Sequence, residues 1–88
     1  MEQTMVAKKF KVEIVYNGVT KPFEVQPHEQ VQAVLKQAIA SFSITQNPHL
    51  LSLFREDGSE VPDHSSIEGA GIQPGERLAL RPSSVKAG

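Results

Sequence analysis

The chain of 88 residues contains no cysteine and no tryptophan. Without thiols there is no disulfide framework, no thiolate nucleophile and no cysteine-ligated zinc, which fits a reducing compartment. Charge of one sign is also lacking: nine Lys and Arg against ten Asp and Glu leave a net −1. With both signs interspersed, no field exists to hold nucleic acid or an anionic membrane. No apolar run approaches the ~20 residues of a membrane span, and the opening MEQTMVAKKF has no apolar signal-peptide centre. These absences lead us to expect a soluble, cytoplasmic monomer. At this length one domain buries about 60–65% of its unfolded surface, enough for one core but not for a deep enzymatic cleft.

The most informative stretch is KFKVEIVYNGVTKPFEV, Lys9 to Val25. Asn17-Gly18 is the preferred pair for a two-residue type I′ hairpin, because both positions need positive φ. That turn pairs Tyr16 with Val19, Val12 with Phe23 and Phe10 with Val25. Phe10, Val12, Ile14, Phe23 and Val25 then share one side of the ribbon. Pro22 falls opposite Glu13 at a non-hydrogen-bonded pair, a position suited to an edge strand.

After Gln26-Pro27 the period changes. Val31, Val34, Leu35, Ala38 and Phe42 define one amphipathic helix from about Glu29 to Ser41, its cap falling to His28, Glu29 or Gln30. Ile44 follows as a satellite of the core. Leu50 to Phe54 alternates again, placing Leu51 and Leu53 on one side and Ser52 and Phe54 on the other. Asp57-Gly58 signals a turn, and Glu56, Asp57 and Glu60 read as a solvated tip. Val61 is expected to form a short partner strand. Ile67 and Ile72 anchor an irregular segment, and Arg77 to Arg81 closes the set with Leu78 and Leu80 inward. The expected fold is α+β, a mixed four-to-five-stranded sheet packed on one helix. Residues 1–9 read as a flexible leader, 10–82 as the domain and 83–88 as a flexible C-terminal tail.

In this order the chain resembles ubiquitin and its β-grasp relatives from about Phe10 to Arg81. The resemblance rests on FEVQP (Phe23 to Pro27), the stripe Val31/Val34/Leu35/Ala38, and the anchors Ile67, Ile72, Leu78 and Leu80 in SIEGAGIQPGERLAL. The nearer comparison is with small ubiquitin-like proteins of bacteria. The resemblance implies that the first and last strands are parallel and central, with the strand of Pro22 at an edge. The family's tyrosine before the last strand falls near Ala70, so its buried hydrogen bond is lost. The family's receptor patch maps onto Phe54, Ala79 and Arg81, where only Phe54 is a large apolar residue.

The chain ends in Ala87-Gly88 where ubiquitin has a double glycine. In ubiquitin-like modifiers the terminal carboxylate is adenylated and passed to a cysteine of an activating enzyme. The resemblance therefore implies an ATP-using activating enzyme as partner, with a conjugating enzyme or metallopeptidase beside it. A sulfur carrier uses the same adenylated glycine. The competing reading is a non-conjugated module that docks another protein through its sheet, with Val15 extending the face and Arg55, Arg77 and Arg81 framing it.

Other signals are weaker. His28, His49 and His64 lie in separate loops without metal-ligand spacing. Asp63, His64 and Ser65 contain the letters of a triad, but neighbours in one turn cannot present its geometry. Gly69 to Gly71 lacks the flanking elements of a phosphate loop. No catalytic residue, metal or cofactor is assigned, and the protein is not expected to be an enzyme.

Overall fold

A computed structural model describes residues 9–87. Strands β1 (Phe10–Tyr16) and β2 (Val19–Val25) form the hairpin, followed by helix α1 (Val31–Ser41) and a 3-10 turn (Pro48–Leu50). Strands β3 (Leu51–Arg55) and β4 (Arg77–Pro82) complete the sheet, and a four-residue helical turn, α2 (Ser84–Ala87), follows. The sheet order is β2-β1-β4-β3. β1 and β4 are parallel and central, while the hairpin and the β3–β4 pair are antiparallel.

The hairpin has the register set by its turn: Tyr16 pairs with Val19, Val12 with Phe23 and Phe10 with Val25. Asn17 and Gly18 have φ of 54° and 83°, as a type I′ turn requires. Pro22 sits opposite Glu13 on the edge strand, where its missing N–H deprives no partner.

α1 begins two residues later than its apolar pattern suggests. Gln30 is extended at φ −76°, ψ 142° and forms an isolated bridge with Ser66, so the helix starts at Val31. Gln30 provides no side-chain cap. Instead, the N–H groups of Val31 and Gln32 donate to the carbonyls of Ser65 and Asp63 at 2.8 and 2.9 Å. Such orphan donors need acceptors wherever a helix begins inside a fold. In return, the N–H groups of Ile67 and Glu68 donate to the carbonyls of Glu29 and Pro27.

The core lies between α1 and the inner face of the sheet. Val31, Val34, Leu35 and Ala38 meet Val12, Ile14 and Val25 of the hairpin, Leu51 and Leu53 of β3, and Leu78 and Leu80 of β4. Ile67 and Ile72 are buried beneath the irregular segment, as their isolation among polar residues suggests. Phe42 closes the far end of α1 against Tyr16 and Phe23, with ring centroids 5.6 and 6.3 Å away. Lys21 donates to the Ser41 carbonyl at 2.7 Å and lies over the Phe42 ring, covering the helix C-terminus.

Val61 does not form the expected strand. The Val61 N–H donates to Leu53 O, and Glu60 makes a single bridge to Phe54. Pro62 has no N–H and ends the pairing. The Ser59 N–H and hydroxyl both donate to Asp57 at the turn tip, chiefly through the hydroxyl, and hold that carboxyl below its ordinary range. Any stabilisation from this exposed group is present above the unfolded pKa and disappears as pH falls through the lowered folded value. No helix among the described residues is long and apolar enough to cross a membrane.

Leu35 is 5% exposed and belongs to the same buried cluster as Ile14 and Leu80. Leu35→Ala should therefore destabilise the fold by about 2–5 kcal/mol. A denaturant titration measures this; a midpoint and slope matching the parent would place Leu35 outside the core.

Candidate interaction face and C-terminal segment

The sheet's outer face follows from the same alternation that builds the core. Ala79 of β4 pairs with Val15 of β1 on one side and with Phe54 of β3 on the other. The three form a short apolar row across adjacent strands, with Phe54 half-buried. Arg81, two residues along β4, holds its guanidinium carbon 5.6 Å from the Phe54 ring centroid. This is a cation–π arrangement that leaves the charge near the apolar row. Phe54, Ala79 and Arg81, chosen from separate parts of the sequence, are thus neighbours.

The expected frame of three arginines is smaller than the sequence suggests. Arg55 is turned to the irregular segment, where Nε and Nη2 donate to the two Glu76 carboxylate oxygens at 2.7 and 3.1 Å. Its Nη1 and Nη2 also donate to the carbonyls of Ala70 and Gly71 at 3.1 and 3.3 Å. Gly71 has φ of 77°, which lets its carbonyl meet the guanidinium without the strain a side chain would bring. Arg77 contacts Glu13 at 3.3 Å on the exposed surface. Arg81 therefore contributes the charge nearest Phe54.

Arg55 also supplies what Ala70 cannot. The loop that lacks the family's tyrosine is tied to β3 by a planar, four-bond guanidinium clamp. No local sequence pattern marks this role, because the partners lie 15 to 21 residues away.

Two further expectations change. Ser52 lies on the outer side of β3 but is fully buried, and its Oγ has no hydrogen-bond partner among the described residues. Glu60 is not simply part of a solvated tip, since its carboxylate accepts a 2.8 Å hydrogen bond from the Ser83 hydroxyl. The histidines belong to no group of three or more potential metal ligands among the described residues.

The segment after β4 turns into the short helix α2. Ser83 is 0% exposed, its N–H donating to Leu50 O at 2.8 Å. Its hydroxyl accepts from the Lys86 N–H at 3.2 Å, as an N-cap does for the third residue of a helix. Lys86 Nζ donates to Asp63 Oδ2 at 2.5 Å and Leu51 O at 2.7 Å. Ser83 is a residue type suited to an N-cap, but Lys86 completes no capping box, and the acceptors of its side chain come from distant residues. Ala87 closes α2, while Gly88 and leader residues 1–8 lie outside the described residues.

The chain matches no protein-family model, and no curated protein matches it. Solved structures do. A designed protein based on ubiquitin superposes with a TM-score of 0.74 at 21% identity, covering 86% of this chain and 90% of that one. The N-terminal ubiquitin-like domain in the 4931431F19Rik protein gives 0.73 at 17%, covering 93% and 82%. Ubiquitin of Caldiarchaeum subterraneum gives 0.68 at 24%, covering 88% and 96%. The fold is a ubiquitin-like β-grasp.

The Arg55 clamp generates a direct prediction. Arg55→Met should cost about 1.5–3 kcal/mol, the range for hydrogen bonds involving charged groups. Hydrogen exchange should show faster opening at Ala70 and Gly71 than in the hairpin. Unchanged protection throughout residues 66–76 would contradict the clamp.

Proposed function

We propose that this protein is a bacterial, cytoplasmic ubiquitin-like modifier or carrier whose Gly88 carboxylate is activated by adenylation. The observation that carries the reading is the course of β4. This central strand presents Ala79 and Arg81 on the outer face and then leads directly into residues 83–88. One partner can grip the face while drawing the following segment into its own active site.

In that reaction a carboxylate oxygen of Gly88 attacks the α-phosphorus of ATP and pyrophosphate leaves. A thiolate of the activating enzyme then attacks the acyl carbon, forming a thioester as AMP leaves. A residue without a side chain allows that carbon into a narrow channel. Transfer by a conjugating enzyme, or removal by a metallopeptidase, follows from the same acyl chemistry. A carrier would instead pass the adenylated carboxylate to a sulfur donor. The chain itself contributes the acyl group and the docking surface rather than catalytic residues.

Incubation with ATP and the candidate activating enzyme should yield an adduct cleaved by thiols. Deleting Gly88 should abolish it while leaving thermal unfolding unchanged. An adduct that persists after the deletion would place the acyl donor elsewhere.

A second reading is favoured by the Phe54–Arg81 pair: a non-conjugated module that docks a protein with an apolar anchor and an acidic rim. With a purified partner, Phe54→Ala should weaken binding by about 1–3 kcal/mol, the cost of a substantial interface anchor. Arg81→Gln should reduce its salt dependence. Full affinity in both variants would exclude this face.

A further inference from the structure

We propose that α2 is a releasable strap, which holds the C-terminal segment against the domain and opens before Gly88 is activated. This inference rests on the modifier reading and concerns its regulation. Ser83 continues the β4–β3 pairing past Pro82, through its N–H to Leu50 O. Its hydroxyl joins two contacts, donating to Glu60 and accepting from Lys86 N–H. Lys86 then reaches across to Asp63 and Leu51 O. The turn is tied both to the start of β3 and to residues 60–63.

These ties are polar. Val85, the large apolar residue of the turn, is 80% exposed and adds little burial. The side chains of Lys86 and Asp63 are 25% and 28% exposed, so water and salt have access to both. Polar contacts of this kind exchange for hydration with a small net loss, unlike a packed apolar helix. An activating enzyme that offers Lys86 a carboxylate or carbonyls of its own can replace its present partners.

Release also changes reach. Four residues rise about 6 Å as a helix but span about 13 Å when extended. Unwinding α2 therefore lengthens the span from Ser83 to the end of the turn, while Ser83 can keep its place at the end of β4. The two halves of the segment have different work: Ser83 anchors, and Lys86 latches.

Backbone relaxation of the free, full-length protein tests the strap without an enzyme. Val85 and Lys86 should be as rigid as β4 in the parent. Lys86→Gln and Asp63→Asn should each release them, increasing Lys86 amide exchange about tenfold or more. Protection at Ile14 and Leu80 should be unchanged, showing that the domain remains folded. With the activating enzyme and ATP, Asp63→Asn, which frees the turn but keeps Lys86 for the enzyme, should form the thioester faster than the parent.

Equal mobility of residues 85–86 in parent and variants would overturn the strap. So would equal or slower charging of a chain whose turn has been freed. Failure of the modifier reading is distinct: neither parent nor variant would form an adduct, whatever the relaxation data show.

Discussion

The exchange of backbone hydrogen bonds between the start of α1 and residues 63–68 is the constraint on which the remaining architecture depends. α1 enters without a side-chain cap, and residues 63–68 form no strand of the sheet, Ser66 making only an isolated bridge to Gln30. Each supplies what the other lacks: carbonyls of Asp63 and Ser65 receive helix N–H groups, and carbonyls of Pro27 and Glu29 receive N–H groups of the segment. Buried backbone polar groups must find partners, so this exchange fixes where the helix begins and where Ile67 enters the core. It also positions Asp63, whose carbonyl serves α1 and whose carboxylate holds Lys86. One residue thus joins the fold's interior to the C-terminal helical turn.

The fold was legible where local chemistry and long-range burial demanded the same arrangement. Asn17-Gly18 set the hairpin turn, the alternation in β1 chose its inner face, and the helical stripe supplied a matching cover. Leu78 and Leu80, two inward leucines on the last strand, suited a central place in the sheet. The uncertain places were those decided by partners remote in sequence. His28, Glu29 and Gln30 could not be told apart as the cap; the bridge to Ser66 settles it on Gln30. Val61 looked like a strand, but the adjoining proline ended the pairing.

The candidate site was legible in part for the same reason. Phe54, Ala79 and Arg81 could be placed on one face from alternation and resemblance, and their adjacency follows from the β3–β4 register. The electrostatic frame was not, because the choice of Arg55 between solvent and Glu76 depends on a loop 15 to 21 residues away. Ser83 and Lys86 were read only as parts of a flexible tail. In the fold, the first is buried and the second has two acceptors. Composition describes what a segment can bury; it does not reveal what another segment offers to its donors.

Pro22 has a consequence for how this small protein behaves at high concentration. The outer side of β2 is an open sheet edge, and such edges invite a second chain to add as a further strand. Pro22 removes a donor from the middle of that outward row and places its ring where an incoming backbone would lie. The opposite edge, along β3, is occupied by the short pairing of residues 59–61. Growth by repeated strand addition, the route to fibrous aggregates, is obstructed at both ends of the sheet.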